Sequence, residues 1–278
     1  LPPSPGRYAE LPAGLEPRLA AVLRARGLDR LYSHQAEAWD LAAARRPFVV
    51  VTPTASGKTL CYNLPVLDTI LREPQARALY LFPTKALSQD QMHEVPGLVT
   101  ELGADIRTYT FDGDTPETAR RAIRSSGHVV VTNPDMLHQG ILPHHTLWVK
   151  LFENLRYVVI DEVHHYRGVF GSHVANVLRR LRRIAAFYGA RPLFIGCSAT
   201  IANPGELFAA LTGEPVEVIA ESGAPRGQKH FIFFNPPVVN HELGIRASAV
   251  KATRFIAERF LETEAQTIVF ARSRMRVE

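Results

Sequence analysis

The sequence predicts an α/β fold in which a parallel β-sheet is flanked by helices on both faces. Three observations predict it. Short apolar runs alternate with amphipathic helical stretches over residues 31–220. Those runs are β-branched or apolar almost throughout, as strands buried on both faces are. Two of them, Phe48–Val51 and Tyr157–Ile160, lead directly into TPTASGKT at 52–59 and DEVH at 161–164. A phosphate-binding loop between strand and helix, and a carboxylate pair at a strand end, belong to such a sheet.

The elements follow in order. Residues 1–30 begin LPPSPGRYAELPAGLEP, a proline-rich stretch that reads as a loosely held N-terminal arm. The predicted strands are Phe48–Thr52, Ala78–Phe82, Ile106–Thr110, His128–Thr132, Tyr157–Asp161 and Leu193–Ser198. Gly57–Leu71, Lys85–Val99, Pro116–Arg124, Ser172–Tyr188 and Pro204–Leu211 read as the helices between them. In 172–188, Val174, Val177, Leu178, Leu181 and Ala185 form an apolar stripe. Arg179, Arg180, Arg182 and Arg183 surround it and read as a solvated face ahead of a nucleic-acid patch. Residues 31–220 thus make one nucleotide-binding domain. Residues 221–244 read as a linker with one connecting strand, Lys229–Phe234. A helix over Ala247–Glu262 and a strand over Thr267–Ala271 then open a second domain, 245–278. That piece is too small to bury a core of its own.

Composition sets broad limits. The chain has 278 residues, 46% hydrophobic and 21% charged, which are globular values. Its formal charge of +5 suits a polyanionic partner. Cys61 and Cys197 read as small core residues rather than a disulfide or metal pair. No apolar run approaches the roughly 18 residues of a membrane span, and no signal peptide is visible. A cytoplasmic protein without a membrane partner is expected.

The two motifs carry chemistry. In the pattern G-x-x-x-x-G-K-[ST], backbone N–H groups curl round phosphates and the next helix aims its positive end at them. Gly57 permits close approach, while Thr54, Ala55 and Ser56 fill the turn. Lys58 supplies a charge to the β- and γ-phosphates, and Thr59 a hydroxyl to magnesium. Thr52 stands where the pattern has its first glycine, so a plain strand–turn–helix with a solvated lysine is the competing reading. DEVH favours the chemical one: Asp161 can hold magnesium and Glu162 can polarise an attacking water.

Further motifs stand in a fixed order: SHQ at 33–35, PTKALSQDQ at 83–91, TNPDML at 132–137, SAT at 198–200 and TIVFARSR at 267–274. With TPTASGKT and DEVH, the series resembles the superfamily-2 helicases of the DEAD/DEAH-box type over almost the whole chain. The resemblance implies a RecA-like domain followed by the start of a second, with ATP and Mg²⁺ as cofactors. It implies that Gln35 reads the adenine edge. Pro83, Thr84 and Lys85, with Thr132, Asn133, Pro134 and Asp135, would touch the backbone of a single strand. The last four also suit a plain helix entry. His164, Ser198 and Thr200 would couple hydrolysis to strand movement, and Arg272 and Arg274 would face the strand. The implied function is ATP hydrolysis coupled to 3′-to-5′ translocation on single-stranded DNA in DNA repair. Single-stranded or tailed duplex DNA is the expected partner of a monomer. The alternatives are an ATP-gated nucleic-acid clamp and an RNA helicase. Family members complete the site with arginines from a facing second domain, so these 278 residues are expected to bind ATP and hydrolyse it barely above background.

Overall fold

The computed structural model describes residues 1–84 and 95–270. The chain enters through a hairpin-like pair, β1 (Tyr8–Glu10) antiparallel to β2 (Arg30–Tyr32), with helix α1 (Pro17–Ala25) between them. Helix α2 (Ser33–Ala43) follows β2 without a break. The first 30 residues are therefore not a loose arm. Pro17 sits at the first position of α1, where a missing N–H costs nothing. The Glu16 carboxylate accepts from Leu19 N at 3.0 Å, and Glu16 N donates to Asp68 Oδ1 at 2.7 Å. Leu15, Leu19 and Leu23 lie buried in the main core. One proline of that stretch, Pro17, starts a helix, and the buried leucines that follow tie the segment to the core.

The sheet elements are β3 (Phe48–Val50), α3 (Lys58–Arg72), β4 (Arg77–Leu81), β5 (Thr108–Thr110), α4 (Glu117–Ser126), β6 (Val129–Thr132), β7 (Leu155–Ile160), α5 (Gly168–Phe187), β8 (Leu193–Cys197), α6 (Pro204–Thr212) and β9 (Glu217–Ile219). Seven parallel strands run in the order β5-β6-β4-β7-β8-β3-β9. Each of the six strands expected between residues 48 and 198 is present. β9 was missed: it is three residues long, only Ile219 is buried, and it pairs at the edge with β3. Residues 95–102 are helical, as expected for the end of 85–99, while 85–94 lie outside the described residues.

The pleat divides the core. Phe48, Val50, Tyr80, Val131, Val159 and Ile195 face the cluster that holds α1, α2 and α3. Their neighbours Val49, Leu79, Val130, Val158 and Phe194 face the other cluster, with α5 and α6. In α5 the apolar stripe is buried at Val174, Leu178, Leu181 and Ala185. Its arginines turn outwards; Arg182 donates to Thr212 O at 2.8 Å and pairs with Glu214.

Contacts divide the chain into a larger unit, Ser4–Arg226, and a smaller one containing Leu1–Pro3 and the residues from Gly227 onwards. In the smaller unit, β10 (Val238–Asn240) pairs with β11 (Ile245–Arg246), and α7 (Ala249–Glu262) follows. The strand expected at Lys229–Phe234 does not form. Phe231, Ile232 and Phe233 are 66%, 82% and 96% exposed, and no described strand lies beside them to complete their backbone hydrogen bonds. Residues 267–270 are likewise irregular, and residue 271 lies outside the described residues. Among the described residues no helix is long and apolar enough to cross a membrane.

Leu23 is fully buried, so Leu23→Ala should cost about 2–5 kcal/mol in chemical denaturation. A loss below about 0.5 kcal/mol, the usual surface value, would restore the loose arm.

Candidate functional site

The loops that follow β3, β4, β6, β7 and β8 leave the carboxyl edge of the sheet, where open parallel sheets bind ligands. β8 lies between β3 and β7, so residues 52–57, SAT and DEVH are neighbours along that edge. β4 and β6 lie beyond β7 and bring Pro83 and Thr84 beside Thr132–Asp135.

The phosphate loop is built from its ends inwards. Thr52, standing in the place of a glycine, is buried, and its hydroxyl lies 2.6 Å from Ser56 Oγ across the turn. Ala55 and Gly57 adopt left-handed conformations, with φ of 60° and 76°. At Gly57 glycine is required twice: a Cβ there would stand 2.7 Å from Gln35 Nε2. α3 starts at Lys58, whose ammonium bends back over the loop to Thr52 O at 2.8 Å and Pro53 O at 3.0 Å. Thr54 and Ala55 are exposed at the crest, and Thr59 is half-buried in the first turn of α3.

Gln35 sits beside this loop. Its Oε1 accepts from Tyr32 N and its Nε2 donates to Gly57 O, both at 2.9 Å. One N–H and one lone pair of the amide remain. They border a cleft of about 450 Å³ lined by Tyr8, Arg30, Tyr32, Gln35, Gly57 and Leu98. The Tyr8 and Tyr32 rings lie 5.4 Å apart, and the Arg30 guanidinium lies 4.6 Å above Tyr8. Sequence reasoning missed this aromatic wall, because only the β1–β2 pairing brings residues 8 and 32 together.

At DEVH, the Tyr62 hydroxyl donates to Asp161 Oδ2 at 3.1 Å, and Glu162 N donates to Oδ1 at 2.7 Å. Burial pushes the Asp161 carboxyl up to about 6 despite these donors, and the Glu162 charge adds to the rise. Glu162 itself holds a left-handed φ of 52°, unusual for its type. His164 Nδ1 lies 3.2 Å from both Glu162 Oε2 and Ala199 N. The backbone N–H can only donate, so Nδ1 is the acceptor. Burial lowers the pKa of this ring and keeps it neutral. The link from DEVH to SAT therefore runs through the backbone of Ala199. The expected coupling residues lie to either side: Ser198 Oγ is buried without a hydrogen-bond partner among the described residues, and Thr200 is exposed.

In TNPD, the Thr132 hydroxyl donates to Phe111 O at 2.6 Å. Asn133 Oδ1 accepts from Met136 N at 2.8 Å and caps a one-turn helix that starts at Pro134. Asp135 and Thr84 are exposed, while Pro83 is half-buried. Lys85, Arg272 and Arg274 lie outside the described residues.

The fold and this edge define an α/β domain with a phosphate-loop motif and a DEVH motif at one carboxyl edge. The family model described as DEAD/DEAH box helicase matches residues 32–207, and the chain belongs to that family. It is 56% identical over 276 residues to YprA of Bacillus subtilis (strain 168), described as an uncharacterized ATP-dependent helicase; the match covers 99% of this chain and 37% of YprA. It is 40% identical over 260 residues to the ATP-dependent helicase hrq1 of Schizosaccharomyces pombe, covering 91% of this chain and 24% of hrq1. The crystal structure of helicase MrfA bound to DNA and AMPPNP superposes with a TM-score of 0.97 at 56% identity, covering 100% of this chain and 38% of MrfA. The chain thus spans well under half the length of the proteins it matches.

Asp161 holds its proton more tightly in the folded chain than at its ordinary value of 3.8. Its contribution to stability is therefore full below 3.8 and is lost as pH rises towards about 6. Asp161→Asn should be more stable than the wild type at neutral pH and equal to it in acid. Denaturation midpoints across pH check this; a more stable wild type at neutral pH contradicts it.

Proposed function

We propose that the chain is the ATP-binding motor portion of an ATP-dependent DNA helicase, translocating 3′-to-5′ on single-stranded DNA and acting in DNA repair. One observation carries the reading: the phosphate loop, DEVH and SAT meet at one carboxyl edge, with TNPD and Pro83–Thr84 further along it. Relatives described as ATP-dependent helicases, and a DNA- and AMPPNP-bound structure of similar fold, support it. In this reading the larger unit is the first RecA-like domain, and the residues from about 245 open the second.

The roles are proposed as follows. Gln35 offers its remaining donor and acceptor to the adenine edge, with Tyr8 and Tyr32 beside it. Residues Thr54–Thr59 cradle the phosphates, and Lys58 moves from its carbonyl partners to the β- and γ-phosphates. Magnesium fits Asp161 and Thr59. Asp161 is a half-buried carboxylate without a salt bridge among the described residues, and an all-oxygen donor set suits that ion. When bound, the ion neutralises phosphate charge. Glu162 orients and polarises the attacking water. His164, with Ser198 and Thr200, senses the state of the site through Ala199. Pro83, Thr84, Lys85 and Thr132–Asp135 hold the backbone of a single strand or of the tail of a duplex, with Arg272 from the second half. A cytoplasmic monomer suffices for this work.

Calorimetry tests the nucleotide half. Lys58→Ala should lose ATP binding, because no other cation on the loop replaces its charge. Glu162→Gln should keep ATP binding, while hydrolysis in a protein extended through the second domain falls by about 10² or more. Equal ATP affinity for the wild type and Lys58→Ala would sink the reading.

The nucleic-acid half predicts binding that ignores base sequence and weakens with salt. The log–log slope should be about −0.7 per phosphate contacted on a single strand. A marked preference for one base sequence, tighter binding of RNA than DNA, or a flat salt response would count against it.

A further inference from the structure

We propose that His34 is a positioning residue for the phosphate loop: with Gln35 it turns two successive peptide N–H groups towards the phosphates of a nucleoside di- or triphosphate. The proposal rests on the nucleotide-binding reading above. His34 is fully buried in the first turn of α2. Both ring nitrogens are engaged with backbone. Gly223 N donates to Nδ1 at 3.1 Å, so Nδ1 carries a lone pair and the proton of the neutral ring sits on Nε2. Nε2 then donates to Ser56 O at 3.0 Å. The Gly223 contact thus selects the tautomer that the loop requires.

The consequence for the loop follows from peptide geometry. In a trans peptide the carbonyl of one residue and the N–H of the next point in opposite directions. His34 holds Ser56 O and Gln35 holds Gly57 O, both from α2. The N–H groups of Gly57 and Lys58 therefore point away from α2, into the hollow of the loop. Successive N–H groups aimed at one point form an anion site. Donors fixed before binding need no reorganisation when the phosphates arrive.

The bridge to Gly223 is itself tightly built. A Cβ at Gly223 would lie 2.5 Å from Ser33 Oγ, 2.6 Å from Ser33 N and 2.7 Å from Arg7 O. Only glycine lets the chain after β9 come this close. Arg7 N donates to Gly223 O at 2.8 Å, and Ser33 N donates to Arg7 O at 2.9 Å. The residues that start α2, the lead into β1 and the segment leaving β9 are thus tied together around one imidazole.

The test compares ADP and adenosine affinities by calorimetry for the wild type, His34→Gln and His34→Asn. Gln carries its amide nitrogen about where Nε2 stands and should keep the wild-type ratio of the two affinities. Asn can still accept from Gly223 but cannot reach Ser56 O. It should weaken ADP about tenfold, the effect of one lost buried hydrogen bond, and leave adenosine unchanged. Unchanged ADP affinity in His34→Asn, or equal losses for ADP and adenosine, overturns the proposal. A wild type that binds neither ligand fails the nucleotide reading itself. If His34→Asn does not fold, nitrogen-15 NMR of the wild type decides. The Nε2–H tautomer, with a proton resonance that shifts with ADP and not with adenosine, supports the proposal; the Nδ1–H tautomer, or no response to ADP, overturns it.

Discussion

A loop that binds phosphate must aim several backbone N–H groups at one point, and the contacts inside so short a loop are joined by others from outside it. The rest of the structure depends on how this is managed. β3 delivers the chain to the carboxyl edge, Gly57 lets it turn, and α3 carries it away with its positive end at the hollow. The loop's outer side is held by α2, through Gln35 to Gly57 O and His34 to Ser56 O. α2 is in turn set by the β1–β2 pair and by α1, whose leucines fill the core beneath it. Residues before the loop in sequence thus shape it as much as those within it.

The carboxylate end is built on opposite terms. Asp161 is half-buried beside Tyr62 and Glu162 N, and no salt bridge among the described residues pairs its charge. A poorly solvated carboxylate of this kind costs stability, the compromise expected of a functional site. Its neighbour Glu162 sits in a strained backbone conformation, and His164 crosses to the backbone of the next strand's loop. Because β8 separates β3 from β7, SAT stands between the phosphate loop and DEVH along the sheet edge. Tyr62, on the helix that leaves the loop, also reaches Asp161 directly.

Much of this was legible in the sequence because parallel strands buried on both faces leave continuous apolar runs, and α5 leaves a stripe with period 3.6. Lys58, Thr59, Asp161 and Glu162 were legible because their residue types and spacing follow phosphate and metal chemistry. Other parts left no such mark. The N-terminal prolines read as looseness, although Pro17 starts a helix that packs into the core. β9 is too short to show a period. Phe231–Phe234 has strand composition but no strand beside it, and composition cannot supply a pairing partner.

The sequence by itself determined the α/β class, the order of the main strands along the chain, and the strand ends after which Lys58, Thr59, Asp161 and Glu162 stand. These are local properties: periodicity, turn residues and charge type. Tertiary structure alone decided the spatial order of the strands, the cleft between Tyr8, Tyr32 and Gln35, the meeting of His164 with Ala199, and the pairing of His34 with Ser56 and Gly223. His34 and Gly223 are 189 residues apart, and one hydrogen bond joins them. No periodicity or spacing encodes such a contact. It exists because the β1–β2 pair, α2 and the exit from β9 pack against one another, and only packing brings donor and acceptor within reach.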